Sequence, residues 1–164
     1  MMNNTFKLTL TIIFSTFILN GFSQNITFVD LKYLLDHNVE EADNYITTKG
    51  FKYHEAKKGE NGDCDDMIWS LNRNTTNDQA DAFIAKTCYE AHLGFIWYQL
   101  GNKIIFDKIK SYCKLLGLKL TDTQISKFND LCTVYENTKY EIKFCSGLND
   151  GTNKNSYTIT LRPK

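Results

Sequence analysis

The chain lacks an excess of charge of either sign. It carries 19 basic and 19 acidic side chains, so its formal net charge is zero. A protein that binds nucleic acid ordinarily carries a clear excess of lysine and arginine, because it must neutralise backbone phosphates. We therefore expect no nucleic-acid partner, whereas a neutral chain remains compatible with a protein partner or a small ligand.

Long hydrophobic runs are also lacking, apart from the uncharged stretch at residues 8–19. That stretch has about twelve residues, whereas a membrane-spanning helix needs about twenty. Lys7 precedes it, and Gly21 and Ser23 are small residues of the kind that signal peptidase requires before its cut. We interpret residues 1–23 as a secretory signal peptide, with a membrane anchor as the alternative. The predicted location is secreted or periplasmic, without stable membrane insertion.

Motifs for catalysis and for metal or cofactor binding are missing as well. The sequence contains no glycine-rich phosphate loop, nucleophile elbow or zinc motif. Its three histidines, His37, His54 and His92, lack ligand spacing, and the acidic stretch 62–66 lacks the distal glutamate of a calcium loop. We predict no metal site, no cofactor and no enzymatic activity. The alternative is a hydrolase-type enzyme that uses His54 or His92 at a site between two structural units.

Two segments repeat the same features in the same order. A helical pattern ends at a glycine and an alternating strand follows, in KGFKYHE at residues 49–55 and in LGLKLTD at residues 116–122. An asparagine N-cap begins each helix and a left-handed glycine ends it. These positions are Asn38 and Gly50 in the first copy and Asn102 and Gly117 in the second. The repetition predicts two copies of one structural unit.

Further strand-like segments follow in each copy. They are residues 67–73, 82–89 and 93–100 in the first copy, and residues 132–136, 140–145 and 157–161 in the second. We predict an α+β fold of two tandem helix-plus-four-strand units, residues 24–100 and 101–164, which form an antiparallel sheet with helices packed on one face. A short helix at 28–35 precedes the first unit, and 123–131 is interpreted as an insertion. The alternative is an ordinary α+β domain with two unrelated helices.

The segment CTVYENTKYEIKFC predicts a hairpin with a disulfide across it. If the turn is centred between Thr138 and Lys139, Cys132 and Cys145 lie opposite each other on one face of the sheet. A register slip of one residue would place the two sulfurs on opposite faces. An oxidising export compartment favours the bond.

The other three cysteines are assigned by their place in the repeat. Cys64 and Cys88 occupy the comparable positions of the first unit, so their pairing is the preferred second bridge. Cys113 is left over on the apolar stripe of the second helix, and we interpret it as a buried thiol. The alternative, a catalytic thiol, would need a nearby base and access to solvent.

The alternation of the strands predicts which face of the sheet is open. The apolar set of the second unit should face the helices, and the same phase places Ile68, Ile84, Phe95 and Trp97 on the opposite face. Aromatic side chains grouped on an exposed surface mark contact sites. These four residues form the predicted binding site for another protein, unless the N-terminal segment or the other unit covers that face.

This arrangement resembles a known architecture. A helix followed by four antiparallel strands, occurring twice in a small exported chain with cysteine pairs in neighbouring strands, is similar to the β-lactamase inhibitor protein family. The segment KGFKY at 49–53 also resembles small uncharacterised secreted proteins of AT-rich Gram-negative bacteria. The first resemblance implies one long curved sheet whose concave face holds an enzyme. We therefore expect a protein-binding or inhibitory module, with a structural envelope component as a further alternative.

Overall fold

Three helices and eight strands make up the described part of the chain. A computed structural model describes residues 26–58, 66–87, 94–149 and 154–164. The helices are α1 (Phe28–Asp36), α2 (Val39–Thr48) and α3 (Lys103–Leu115). The strands are β1 (Lys52–Lys57), β2 (Asp66–Leu71), β3 (Ala82–Thr87), β4 (Phe95–Leu100), β5 (Lys119–Ile125), β6 (Leu131–Glu136), β7 (Tyr140–Asn149) and β8 (Lys154–Pro163). No helix within these ranges is long and apolar enough to cross a bilayer. The predicted signal peptide lies outside them.

All eight strands join one antiparallel sheet in the order β1-β2-β3-β4-β8-β7-β6-β5. Each half is therefore a four-stranded meander, and the two meanders meet where β4 pairs with β8. Helix α2 precedes the first meander and α3 precedes the second, while α1 is the additional short helix. The predicted α+β fold, with helices packed on one face of an antiparallel sheet, is confirmed.

The junction between helix and strand has the same geometry in both halves. Gly50 and Gly117 adopt φ of 86° and 78°, values that favour glycine because it has no Cβ. The next amide N–H, of Phe51 or Leu118, donates to the carbonyl five residues back at 3.4 Å and 3.2 Å, which closes a glycine C-cap. Each first strand then has a register shift: between Tyr53 and Glu55 in β1, and between Leu120 and Asp122 in β5.

The asparagine N-caps are also present. Asn38 Oδ1 accepts the amide N–H of Glu41 at 2.9 Å, and the Glu41 side chain accepts that of Asn38, which completes a capping box. Asn102 Oδ1 accepts the N–H of Ile104 at 2.9 Å. Such caps fix where each helix begins, and therefore where each following strand enters the sheet.

The core lies between the helices and one face of the sheet. Directly paired residues of five neighbouring strands form a continuous row on this face: Trp69, Ile84, Tyr98, Ile159 and Phe144. All five are at most 1% exposed. Buried side chains from the three helices complete the cluster, among them Leu31, Ile46 and Ile109.

A buried carboxylate links α1 to the end of α2. Asp30 accepts hydrogen bonds from Tyr45 Oη and from the Thr27 amide, and its Oδ1 lies 2.9 Å from Lys49 Nζ. Burial alone would raise the pKa of Asp30, but the hydrogen bonds from Tyr45, Thr27 and Lys49 outweigh it and hold that pKa below its ordinary value. The ionised form of Asp30 therefore stabilises the helix pair.

Residues 123–131 are not an insertion, contrary to the prediction. Strand β5 continues to Ile125, a short turn follows, and β6 begins at Leu131. Every residue of β5 is exposed, so this edge strand has no buried alternation from which its length could be read. The segment is the end of a hairpin, and it borders the site described next.

Candidate functional site

The face of the sheet away from the helices is named the open face here. One row across it runs through directly paired residues of six neighbouring strands: Ile68, Ala85, Trp97, Thr160, Lys143 and Val134. The next row is Ser70, Phe83, Gln99, Thr158, Cys145 and Cys132. Strand pleating places these rows opposite the core row. None of the described helices packs on them.

The structure separates the four residues predicted to bind a partner. Phe95 and Trp97 are half-buried on the open face, and Ile68 lies on the same face but is 8% exposed. The prediction for Ile84 is wrong: its side chain is 0% exposed and belongs to the core. The reason is register: Trp69 pairs with Ile84, so even-numbered residues of β2 oppose odd-numbered residues of β3.

A cavity of about 720 Å³ lies on the open face of the second meander. Trp97 and Gln99 of β4 border one side, and Thr158, Thr160 and Lys143 line the middle. The end of β5, residues 124 and 125, and the turn between β5 and β6, residues 126–128 and 130, border the other side. We call this the open-face cavity. Its volume lies within the range of about 300–1,000 Å³ that is typical of ligand sites.

Hydrogen bonds within the β5–β6 turn fix one wall of the cavity. The Ser126 amide donates to the Asp130 carbonyl at 2.9 Å, and Ser126 Oγ donates to Asp130 Oδ2 at 3.1 Å. Asn129 takes a left-handed φ of 65°, which asparagine tolerates better than most residues. The Asp130 side chain lies against Gly147 of β7, in space that a Cβ there would occupy. Glycine at 147 therefore lets the turn approach the sheet.

Exposed apolar side chains surround the mouth of the open-face cavity. Ile125, Phe128 and Leu148 are 70%, 69% and 61% exposed, and all three line it. Large apolar groups on a protein surface are costly in water when they are contiguous, and such patches mark contact sites. The rim is therefore an exposed apolar border of the cavity.

A smaller cavity of about 300 Å³ adjoins the first. The two share Lys143, Thr160 and Gln124. The smaller cavity also contains carboxylates, and two of these are in ion pairs: Arg162 lies 2.7 Å from Glu141, and Lys164 contacts Glu136. The guanidinium of Arg162, hydrogen-bonded to Glu141, has a raised pKa.

The predicted disulfide between Cys132 and Cys145 is present, and it forms part of the cavity floor. The two residues are a direct cross-strand pair with Cα atoms 4.0 Å apart, so the predicted hairpin register is confirmed. Both side chains are buried and line the open-face cavity. The preferred second bridge, Cys64 to Cys88, lies outside the described residues and stays a prediction.

Of the two histidines weighed for an enzymatic role, the one that the structure describes, His54, lies away from the junction of the two meanders. His54 lies at the β1 register shift, and β1 is three strands from β4, or about 14 Å. His92 is outside the described residues. His37 ends α1 and stacks on Tyr33 at 3.8 Å between ring centroids. No group of acidic, histidine or cysteine side chains within the described ranges is arranged to hold a metal ion.

The leftover thiol is buried, as expected. Cys113 is 0% exposed among core residues of α3. Burial raises the pKa of Cys113 to about 12, so the thiol stays protonated at neutral pH. A protonated thiol without access to solvent is a poor nucleophile.

Comparisons with protein-family models, with curated proteins and with solved structures find no match to this chain. Sequence reasoning identified Trp97, but it missed Lys143 and the β5–β6 turn. The only available signal for the turn was the cluster of apolar residues Ile125 and Phe128 between polar ones.

Proposed function

We propose that the protein is an exported, non-enzymatic module that binds another protein through the open face of its sheet. The observation that carries this proposal is the open-face cavity, which has an aromatic border at Trp97 and an exposed apolar rim at Ile125, Phe128 and Leu148. The helices already cover the other face and supply the core. The part of the open face around the cavity, in the second meander, is thus the surface that we propose for a partner.

The composition of this surface fits a protein interface better than a reaction site. Protein interfaces combine buried aromatic anchors with a polar surround. Trp97 and Phe128 supply the aromatic groups, and Gln99, Thr158 and Thr160 supply the polar ones. The Cys132–Cys145 disulfide on this face supports a secreted or periplasmic location.

We propose that this binding inhibits the partner, which is then an enzyme. The same order of elements carries the resemblance to the β-lactamase inhibitor protein family, in which one long sheet holds an enzyme. The sheet here is continuous across both meanders through the β4–β8 pairing. A partner that spans the junction would contact Trp97 from the first meander and Lys143 from the second.

The test compares two aspartate substitutions on opposite faces of the molecule. Phe128→Asp alters the cavity rim, and Val29→Asp alters α1 on the helix side; the two side chains are 69% and 57% exposed. Trp97→Asp is added as the central variant. The immobilised full chain is used to capture proteins from an envelope extract, and the bound proteins are identified by mass spectrometry.

We expect one partner to be captured by wild type and Val29→Asp and lost with Phe128→Asp and Trp97→Asp. Circular dichroism must show that these variants keep a cooperative thermal transition. Equal capture by all four proteins would refute binding through the open face. Unfolding of Trp97→Asp alone would show that this residue belongs to the core. Partner capture by Phe128→Asp would then be the test of binding through the open face.

A further inference from the structure

Most charged groups of the two adjoining cavities have an interaction partner within the protein. Glu141 and Glu136 are paired with Arg162 and Lys164. In the wall of the larger cavity, Asp130 accepts from Ser126, and Lys127 Nζ lies 4.9 Å from the centroid of the Phe128 ring. Asp122, the third carboxylate of the smaller cavity, accepts the amide N–H of Thr123 at 2.8 Å. These groups are therefore engaged within the protein.

Lys143 is the exception. It lies in the middle of the open face, between Thr160 on β8 and Val134 on β6, and it is half-buried. Among the described residues it has no ion-pair or hydrogen-bond partner. An ammonium group that loses water without gaining a partner costs free energy. A ligand that covers this face must therefore bring an acceptor to Lys143.

A carboxylate fits this position better than a phosphate. Strands β8, β7 and β6 are interior strands, each paired on both sides, so their backbone N–H groups are used in the sheet. Phosphate sites commonly combine arginine or lysine with several free backbone N–H groups, and the described strands of this face around Lys143 offer none of the latter. The donors that line the two cavities with Lys143 are instead side chains: the hydroxyl groups of Thr158 and Thr160, the amides of Gln99 and Gln124, and the guanidinium of Arg162, which is already paired with Glu141.

The surroundings of Lys143 indicate that the carboxylate belongs to a folded or looped peptide chain. The cavity of about 720 Å³ is much larger than a single carboxylate group, and its walls include Trp97, Phe128 and the Cys132–Cys145 disulfide. Apolar walls favour apolar side chains on either side of the charged one. Fixing an ion pair beside such walls excludes water and strengthens it.

We propose that Lys143 receives an aspartate or glutamate side chain from a partner protein's loop, with apolar residues next to it. This inference rests on the proposed function and names the chemistry of the partner at that site. It also predicts that binding weakens as salt concentration rises, because the central contact is ionic.

The experiment uses a library of disulfide-cyclised heptapeptides displayed on phage. The library is selected on the full chain with Cys132–Cys145 oxidised, and peptides that also bind Phe128→Asp are discarded. Dissociation constants of the remaining peptides are then measured against wild type, Lys143→Met, Lys143→Arg and Lys108→Glu. Lys143→Met keeps most of the apolar stem, and Lys108, exposed on α3, is the charge-change control.

We expect the selected peptides to share an acidic residue next to apolar ones. Lys143→Met should raise their Kd by about tenfold or more, Lys143→Arg should keep most of the affinity, and Lys108→Glu should leave it within about twofold. Changing the peptide's acidic residue to its amide should cost about tenfold against wild type and less than about twofold against Lys143→Met. Losses that do not add show that Lys143 and the acidic residue of the peptide contact each other.

Four results would overturn the inference. If the selected peptides lack an acidic residue, open-face binding stands but Lys143 has no role in it. The same holds if the losses from Lys143→Met and from the amide peptide simply add. Displacement of the peptides by inorganic phosphate more readily than by acetate at equal ionic strength would show that the site prefers phosphate. If no peptide is sensitive to Phe128→Asp, the proposed function itself fails.

Discussion

Replacing Gly147 by alanine should detach the β5–β6 turn from the sheet. A Cβ at this position would lie 2.8 Å from Asp130 Cγ, and closer still to Oδ1. Real Cβ atoms do not approach other atoms so closely, so the Asp130 side chain must rotate away. That rotation breaks the hydrogen bond of 3.1 Å from Ser126 Oγ to Asp130 Oδ2.

The expected cost follows from two opposing effects. A hydrogen bond to a charged group contributes about 1.5–3 kcal/mol, and the lower end applies because Asp130 is half-buried and water can replace the bond. Alanine restricts the unfolded chain and thereby stabilises the protein by about 0.4–1 kcal/mol. The net change is a loss of about 1 kcal/mol, or about 3 °C in Tm for a chain of this size.

Urea unfolding of four proteins measures this coupling: wild type, Gly147→Ala, Asp130→Ala and the double variant. In the Asp130→Ala background the clash is largely removed, so Gly147→Ala should be neutral or slightly stabilising. The interaction free energy between the two positions should therefore be about 1–1.5 kcal/mol. A fluorescence change of Trp97, which borders the same cavity, should accompany Gly147→Ala.

Two results would refute this reasoning. If Gly147→Ala is as stable as wild type, the Asp130 side chain does not occupy the space above Gly147. If the loss persists unchanged in the Asp130→Ala background, it arises from the β7 backbone and not from the turn. In either case the wall of the open-face cavity would need a different explanation.

Three further predictions concern the core, the disulfide and the buried carboxylate. Ile84→Asp places an unpaired charge among fully buried residues and should cost at least about 4 kcal/mol, so circular dichroism should show an unfolded variant, whereas Trp97→Asp should melt cooperatively; a folded Ile84→Asp would contradict the register. Joint replacement of Cys132 and Cys145 by alanine should lower the free energy of unfolding by up to about 3 kcal/mol, because the bond joins residues with a sequence separation of 13. An unchanged urea midpoint would contradict a formed bond. The pKa of Asp30 is lowered in the folded state, so its contribution is complete above its ordinary pKa and is lost as pH falls through the lower, folded value. The stability difference between wild type and Asp30→Asn should thus be constant from pH 7 to about pH 4 and shrink below it, and a difference that does not change with pH would refute the assignment.

Local signals predicted the elements whose geometry is set by a few adjacent residues. Asn38 and Asn102 begin helices because their side chains bond the first free amides, and Gly50 and Gly117 end them because φ is positive there. The Cys132–Cys145 hairpin has a short turn, which fixes its register. No knowledge of distant contacts is needed for these features.

The position of Ile84 required information that the local pattern does not contain. Strand β3 is buried on both faces, so its residues do not alternate between buried and exposed. Even a lysine lies on its core face, where Lys86 Nζ donates to the Leu34 carbonyl at 2.7 Å. The pairing of Trp69 with Ile84 depends on the β2–β3 turn, and a shift of one residue moves every side chain to the other face.

The open-face cavity could not be predicted for a related reason. Strand β5 is an exposed edge strand with a register shift after Leu120. The alternation of its side chains therefore changes phase midway, and the end of the strand has no regular pattern in the sequence. The cavity also depends on tertiary contact between Asp130 and Gly147. The sequence therefore indicated Trp97, on one border, and missed Lys143, which only the strand order β4-β8-β7 brings near it.

Site-specific photocrosslinking can show whether a partner protein covers the open face. Benzoylphenylalanine would replace Phe128 on the rim of the open-face cavity or, as the matched aromatic control, Tyr112 on α3, which is 42% exposed on the helix side. After irradiation of intact cells, the open-face account predicts a covalent adduct with a second protein from position 128 and none from position 112. An adduct from position 112 alone would contradict it.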